Sequence, residues 1–208
     1  YLLLLMKLKN KIAIITGGGK GIGKEICLGL AKEGAKIIIA DLDKENSSNV
    51  VETIIQNGGD AIYVETNVSS EQSVKNLITK SINKFNQIDI LINNAGIRHV
   101  KKLEDHNLND WNDMISVNLT GPYICCQAVI PQMKKIGKGK IINFGSIASF
   151  MGRPDRVGYV AAKSGVLGLT RALAIDLKGT NINVNTICPG LISTPFNKKY
   201  AEDPTHGE

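Results

Sequence analysis

Short apolar runs alternate with helical stretches along nearly the whole chain. Runs rich in isoleucine and valine and bounded by turn residues predict buried strands. They cover residues 11–16, 36–40, 61–65, 88–92, 140–144 and 183–187. Between them, apolar periodicity predicts helices over residues 24–33, 44–56, 70–85, about 111–136 and 159–177, with Gly121-Pro122 interrupting the fourth. Strands joined through helices of this length pair in parallel. The sequence therefore predicts an α/β fold in which a doubly wound parallel sheet carries helices on both faces.

Length and composition fit one domain over residues 1–208, of ordinary globular balance. The apolar segment at residues 1–5 is too short to span a bilayer and lacks a cleavage signal. We interpret it as a non-native or disordered extension before a start at Met6. No other apolar run is long enough to cross a membrane, so we expect a cytoplasmic protein with no membrane partner.

The net charge of +6 comes from lysines scattered along the chain. Because no basic stripe is interleaved with aromatic residues, we expect no nucleic-acid partner. The cysteines have no metal-ligand spacing, and we expect reduced, buried thiols and no metal site.

A glycine cluster, Thr16-Gly-Gly-Gly-Lys-Gly-Ile-Gly23, lies between the first predicted strand and helix. Glycines let the backbone approach a pyrophosphate, and a helix N-terminus offers it unpaired N–H groups. Asp41 ends the second strand, 18 residues beyond Gly23, near the ~20 typical of an acid that binds the adenosine ribose. A carboxylate there repels a 2′-phosphate and favours NAD over NADP, whereas Lys20 favours NADP. The alternatives are a flexible turn and a strand-end aspartate.

Tyr159 and Lys163 are four residues apart in a predicted helix and therefore share one face. An adjacent cation lowers the pKa of a phenol, which suits a tyrosine that exchanges protons near neutral pH. The alternative is a solvated helix face. Polar or glycine residues also follow the other strands, at Asn67, Asn93–Gly96 and Ser146, where parallel strands place ligand sites.

Together these segments resemble the short-chain dehydrogenase/reductase family of NAD(P)-dependent oxidoreductases, which have a Rossmann sheet. The resemblance rests on the glycine segment, Asn93-Asn-Ala-Gly96, Asn118, Ser146, Tyr159-x-x-x-Lys163 and Pro189-Gly-Leu-Ile-Ser-Thr194. These motifs occur in the family's order, cover nearly the whole chain, and are jointly specific. The resemblance implies an enzyme acting on CH–OH groups.

The resemblance implies a catalytic tetrad. Tyr159 would be the general acid/base, and Ser146 would hold the substrate oxygen. Lys163 would bind the nicotinamide ribose and lower the pKa of Tyr159, and Asn118 would hold a water of a proton relay. Taken alone, Ser146 could be a turn serine and Asn118 a polar helix residue.

The resemblance also implies contacts with the cofactor, which we expect to be NAD, NADP being the less favoured alternative. The implied residues are Gly17, Gly19, Lys20, Gly21, Ile22, Gly23, Asp41, Asn67, Val68, Asn94, Ala95, Gly96, Tyr159, Lys163, Pro189, Gly190, Ile192 and Thr194. One departure is Asn67, where the family usually has aspartate.

Segments beside the implied pocket supply Arg98, His99 and Arg153. Arginine binds carboxylates bidentately, so we expect an anionic or polyhydroxyl substrate such as a sugar or sugar acid. The alternative is exposed loop charge. We therefore expect an NAD(H)-dependent oxidoreductase that interconverts a secondary alcohol and a carbonyl. An enzyme like 3-oxoacyl-carrier-protein reductase is the alternative, against which Asp41 argues because such enzymes generally prefer NADPH.

The chain is shorter than is usual for the family. The resemblance implies that most of a helical lid, a helix and the last strand of the sheet follow in a full-length form, which we expect to be a homo-oligomer, a tetramer or dimer. The chain would then be either a fragment of a normal enzyme or a truncated cofactor-binding protein without full activity.

Overall fold

The sheet is parallel throughout, as the alternating pattern predicts. The structure, a computed structural model, describes residues 6–197, so the interpretation of residues 1–5 lies outside the described residues. Its strand order is β3-β2-β1-β4-β5-β6. The strands are β1 Ile12–Thr16, β2 Lys36–Asp41, β3 Ala61–Glu65, β4 Ile90–Asn93, β5 Gly139–Phe144 and β6 Ile182–Ile187. Because the strand order reverses between β1 and β4, the switch point of the sheet lies there.

Helices cover both faces of the sheet. They are α1 Gly21–Lys32, α2 Lys44–Gln56, α3 Glu71–Phe85, α4 Leu108–Ile115, α5 Gly121–Ile136 and α6 Val157–Asp176. Side chains alternate across each strand, so Ile14 packs with α3 and α5 while Ile15 packs with α1 and α2. The predicted doubly wound architecture is therefore confirmed. Among residues 6–197, no helix is long and apolar enough to cross a membrane.

Two local features differ from the sequence expectation. Helix α1 begins at Gly21, three residues earlier than predicted, so the end of the glycine segment forms its first turn. The helix predicted over about 111–136 is interrupted beside Gly121-Pro122, as expected, but the interruption extends further back along the chain. A π-helical segment, Ser116–Thr120, separates α4 from α5, which begins at Gly121 with Pro122 in its first turn.

Candidate active site

A cleft of about 700 Å³ opens at the carboxyl ends of the strands. The loops that follow all six strands contribute to its walls. Most of the residues proposed from the sequence line it: Gly17, Lys20, Gly21, Ile22, Asp41, Asn67, Val68, Asn94, Ala95, Gly96, Asn118, Ser146, Tyr159, Lys163, Pro189, Gly190, Ile192 and Thr194. Gly19 and Gly23 are not among the lining residues: Gly19 lies in the β1–α1 turn, and Gly23 lies in the first turn of α1.

The β1–α1 turn requires glycine at defined points. Gly17 has a φ of +66° and Gly21 a φ of +52°, values that favour glycine. A Cβ atom added to Gly23 would lie 2.0 Å from the carbonyl oxygen of Gly17. The turn is held against β4 by Asn94, whose Nδ2 donates to the carbonyl oxygens of Thr16 and Gly17 at 3.0 and 2.9 Å. The backbone is therefore tightly folded and presents no side chain at its closest approach.

The N-terminus of α1 is a suitable place for a pyrophosphate. Its N-cap residue, Lys20, makes no side-chain capping hydrogen bond. The first N–H groups of a helix have no intrahelical partner, and the helix dipole places partial positive charge there. These amides and the glycine backbone fit the diphosphate of a dinucleotide.

Two carboxylates stand at the end of β2. Asp41 accepts hydrogen bonds from the backbone N–H groups of Gly19 and Asp43 at 2.9 and 3.0 Å. Asp43 accepts a hydrogen bond from the Asn46 amide as N-cap of α2, and its Oδ2 lies 2.6 Å from Lys20 Nζ. This end of the cleft therefore carries more negative than positive charge.

Asn67 and Val68 line the cleft after β3. The Asn67 side-chain oxygen accepts hydrogen bonds from the backbone N–H and the hydroxyl of Ser69 at 3.1 and 2.7 Å. This oxygen performs the turn-stabilising role that an aspartate could also perform. The replacement of aspartate by Asn67 is thus compatible with the local fold.

Ser146 and Tyr159 line the cleft together, and the Ser146 side chain is close enough to act on the Tyr159 phenol. Ser146 follows β5, and its Oγ accepts the backbone N–H of Ala148 at 3.1 Å. The neighbouring Ser149 accepts the backbone N–H of Ser146 and donates to the carbonyl of Lys163, at 3.1 and 2.7 Å. The loop after β5 is thereby fixed to α6, so the two hydroxyls face the same part of the cleft.

Lys163 is almost fully buried, with 4% of its surface exposed. Its Nζ donates to the carbonyl oxygen of Phe144 at 2.7 Å and lies 5.8 Å from the centre of the Tyr159 ring. Burial disfavours the charged form and lowers the pKa of Lys163 to about 8. The ammonium can therefore lose and regain a proton close to neutral pH.

Burial raises the pKa of Tyr159 above its ordinary value of 10.0. Three smaller effects lower it: the interaction with the Ser146 side chain and the positive charges of Arg98 and Arg156. The sequence assigned this lowering to Lys163, but in the structure the opposing charge comes from the two arginines, while Lys163 binds Phe144. With burial dominant, the phenol is held protonated and is suited to donate a proton.

Asn118 is fully buried in the π-helical segment and connects it to the loop after β4. Its Oδ1 accepts the backbone N–H of Ile97 at 3.1 Å, and its Nδ2 donates to the carbonyls of Ile97 and Met114, each at 3.0 Å. The side chain is thus fully used in positioning. Pro122 has no N–H and therefore cannot donate the α-helical hydrogen bond to the Asn118 carbonyl.

This arrangement of fold and site matches known proteins. A family model described as short chain dehydrogenase matches residues 11–205. The chain belongs to the short-chain dehydrogenase/reductase family. It is therefore an oxidoreductase that acts on CH–OH groups, and its family uses NAD or NADP.

Individual relatives are similar in sequence or structure over most of the length of this dehydrogenase. An uncharacterized oxidoreductase of Thermotoga maritima is 41% identical over 192 residues, which are 92% of this chain and 75% of the relative. A 3-oxoacyl-(acyl-carrier-protein) reductase of Synechocystis sp. is 39% identical over 198 residues, which are 95% of this chain and 80% of that reductase. The crystal structure of levodione reductase has a TM-score of 0.90 and 30% identity, covering 94% of this chain and 77% of that one.

Three arginines of this short-chain dehydrogenase line the cleft near Tyr159: Arg98, Arg153 and Arg156. The guanidinium of Arg98 lies 4.9 Å from the centre of the Phe196 ring, which holds it at the cleft wall. The third residue expected at the substrate, His99, is not brought into the cleft. Its Nδ1 lies 3.6 Å from Asp110, a carboxylate that also binds Lys101 at 2.8 Å.

The sequence reasoning missed two residues of the site. No role was expected for Arg156, although its charge acts on Tyr159. Asp43 was not considered, although it lines the cleft and binds Lys20. Its position as an aspartate before a helical pattern, three residues ahead of Asn46, is an N-cap signal that could have drawn attention to it.

Replacing Gly23 with alanine should destroy the dinucleotide site. The added methyl group would overlap the Gly17 carbonyl, so we expect a loss of about 1–3 kcal/mol in unfolding free energy and strongly weakened NAD(P)H binding. Gly29→Ala in the same helix is the matched control, because nothing lies within 4 Å of its added Cβ. It should stabilise the helix by up to ~1 kcal/mol. Denaturant unfolding and NAD(P)H titration measure both, and equal behaviour of the two variants would contradict the close approach.

The buried ammonium of Lys163 should make stability depend on pH. Between its folded pKa of about 8 and its ordinary value of 10.5, the unfolded chain binds more protons at this residue than the folded chain. The cost of burying the charged Lys163 is therefore fully present below pH 8 and is relieved as the pH rises through this window. Across the window, we expect the unfolding free energy of wild type to rise by on the order of 3 kcal/mol relative to that of Lys163→Met. A difference that stays flat from pH 7.5 to 10.5 in denaturant unfolding would contradict this.

Proposed function

We propose that the chain is an NAD(H)-dependent oxidoreductase that interconverts a secondary alcohol and a carbonyl. The observation that carries this proposal is that the hydroxyls of Ser146 and Tyr159 lie in one cleft beside the buried ammonium of Lys163. Such a pair can hold a carbonyl or hydroxyl oxygen and exchange a proton with it.

In the direction of reduction, Ser146 binds the carbonyl oxygen and Tyr159 donates its phenolic proton to that oxygen. Positive charge from Arg98 and Arg156 stabilises the phenolate that this transfer leaves. Lys163, whose pKa is about 8, can supply the proton that restores the phenol. We propose that the Asn118 carbonyl accepts a hydrogen bond from a water in this relay. In oxidation the same groups work in reverse.

The glycine turn, the N-terminus of α1 and Asp41 would hold the cofactor. When bound, the nicotinamide supplies or accepts the hydride. Asp41 stands at the end of β2, where a carboxylate suits ribose hydroxyls and repels a 2′-phosphate. Its side chain is already aligned by the N–H groups of Gly19 and Asp43, which supports NAD over NADP.

The substrate proposed for this site carries a negative charge. Arg98, Arg153 and Arg156 line the same cleft as Tyr159, and guanidinium groups bind carboxylates through paired hydrogen bonds. A cleft of this kind fits a small polar hydroxy acid or its oxo form, of which a sugar acid is one example. His99 is no part of this proposal, since its imidazole faces Asp110.

A second candidate is the reduction of a 3-oxoacyl thioester. It is favoured by the relative from Synechocystis sp., which bears that activity in its name. The same arginines could then meet the phosphate of a carrier arm. The two candidates differ in the expected cofactor. Enzymes of this second kind generally prefer NADPH, whereas a carboxylate at the position of Asp41 favours NADH.

The hydroxyl of Tyr159 should be indispensable. Tyr159→Phe removes the proton donor and keeps the ring, so we expect kcat to fall by roughly 10²–10⁴, with NADH binding retained. Tyr123→Phe is the matched control, because Tyr123 is exposed on α5 and outside the cleft. Steady-state NADH oxidation against a panel of oxo acids, oxo sugars and 3-oxoacyl thioesters gives the readout. A Tyr159→Phe enzyme with wild-type kcat would rule out the proposed mechanism.

Charge at the arginines should determine the KM for anionic substrates. Arg98→Gln and Arg153→Gln each remove one guanidinium, and a charge-assisted hydrogen bond contributes about 1.5–3 kcal/mol, so KM for a carboxylate substrate should rise roughly 10- to 100-fold. Arg171→Gln, on the exposed surface of α6, changes the net charge equally and is the control. If KM rises equally for a neutral analogue, the arginines shape the pocket without recognising an anion.

A further inference from the structure

Lys20 is the cation best placed to meet a phosphate on the adenosine ribose, but a second carboxylate already holds it. It is the N-cap of α1 and lines the cleft beside Asp41. Its Nζ lies 2.6 Å from Oδ2 of Asp43, with 55% of the Lys20 side chain and 33% of the Asp43 side chain exposed. The contact therefore joins the end of β2 to the start of α1 across the opening of the cleft.

Asp43 is a fixed partner. Its carboxylate caps α2 by accepting the backbone N–H of Asn46 at 3.1 Å and the Asn46 side-chain amide at 2.9 Å. Its own N–H donates to Asp41 Oδ1 at 3.0 Å. Two exposed side chains usually lose entropy when they pair, which is why surface ion pairs contribute little. Here one partner is ordered by the backbone, and only Lys20 must be restrained.

The charged groups around Lys20 carry a net negative charge even when the lysine itself is included. Three carboxylates act on it, those of Asp43, Asp41 and Glu45, and together they raise the pKa of Lys20, Asp43 through both hydrogen bonding and charge. Conversely, Lys20 and Asn46 lower the pKa of Asp43 to about 2. Both partners are thus charged across the physiological range. A doubly negative 2′-phosphate would have to displace Asp43 from Lys20 and then remain beside it.

We propose that Asp43 is a specificity-determining residue that withholds Lys20 from a 2′-phosphate, so that the preference for NAD depends on two carboxylates at the end of β2. This inference rests on the cofactor site of the proposed function and assigns a role that Asp41 alone does not fill. Asp41 would hold the ribose hydroxyls, whereas Asp43 neutralises the cation that would otherwise bind the 2′-phosphate of NADP.

Binding of NADH and NADPH to the 208-residue chain tests this assignment. Dissociation constants are measured by cofactor fluorescence for wild type, Asp43→Asn and Asp43→Ser. Asparagine and serine cap helices as well as aspartate does, so both variants keep the N-cap of α2 and remove the negative charge. We expect the ratio of the NADPH dissociation constant to the NADH dissociation constant to fall about tenfold in each, since Lys20 is released to form a charge-assisted hydrogen bond with the 2′-phosphate.

A double-mutant cycle separates the role of the pair from a general charge effect. If Asp43 acts through Lys20, the gain in NADPH binding disappears in Asp43→Asn combined with Lys20→Gln. The gain should also shrink in high salt, because the charges are exposed. Persistence of the gain without Lys20 would overturn the assignment, as would an unchanged ratio in both Asp43 variants. A wild type that binds neither cofactor would overturn the proposed function as well, whereas NADH binding with no response to Asp43 would overturn this inference alone.

Discussion

The cleft depends on how the chain satisfies its backbone polar groups where β1 and β4 separate. At this switch point the two strands end side by side and the chain turns away on opposite faces, which would leave buried N–H and C=O groups unpaired. Thr16 and Asn94 provide the partners. Thr16 Oγ1 accepts the N–H groups of Asn94 and Ala95, each at 3.0 Å, and Asn94 Nδ2 donates to two carbonyls of the β1 turn. This clamp holds the turn in place, so that Gly23 can approach Gly17 and α1 can direct its N-terminus into the cleft.

The other half of the site is organised around a buried charge that opposes folding. Lys163 carries an ammonium into an almost fully buried position, with the Phe144 carbonyl as its hydrogen-bond partner. Such a group is destabilising in the folded state unless its environment compensates. Tyr159 is affected in the opposite sense, because burial favours its neutral form. Desolvation thus moves the pKa of the amine down and that of the phenol up, so the acid with the lower pKa in this structure is the lysine. The groups of the site are arranged for proton transfer before any ligand adds its own charge.

The parts of the structure that local pattern determines could be predicted from the sequence, and those that depend on distant partners could not. The isoleucine-rich strands and the glycine turn can each be recognised from a few consecutive residues. The fold class then follows from the alternation of strands with helices. The π-helical segment could not be predicted in this way. Its buried Asn118 makes hydrogen bonds with Ile97, 21 residues away, and the local pattern does not reveal that contact. In the same way, nothing near His99 in the sequence reveals that Asp110 draws it away from the cleft. Charges in loops were the least predictable, since their partners are set by the folded chain.

Net charge gave no indication of the electrostatics of this cleft. The chain carries +6, yet the end of β2 holds Asp41 and Asp43, with Glu45 close enough to act on Lys20. The loops after β4 and β5 place Arg98, Arg153 and Arg156 in the same cleft. Strands lie about 4.8 Å apart, so the acidic strand end is separated from the arginine loops by β1 and roughly 10 Å or more. The cleft is therefore polarised along its length. Low-dielectric walls concentrate the electric field inside a cleft. An elongated ligand with one neutral and one anionic end would therefore bind in a single orientation, with its anionic end at the arginines.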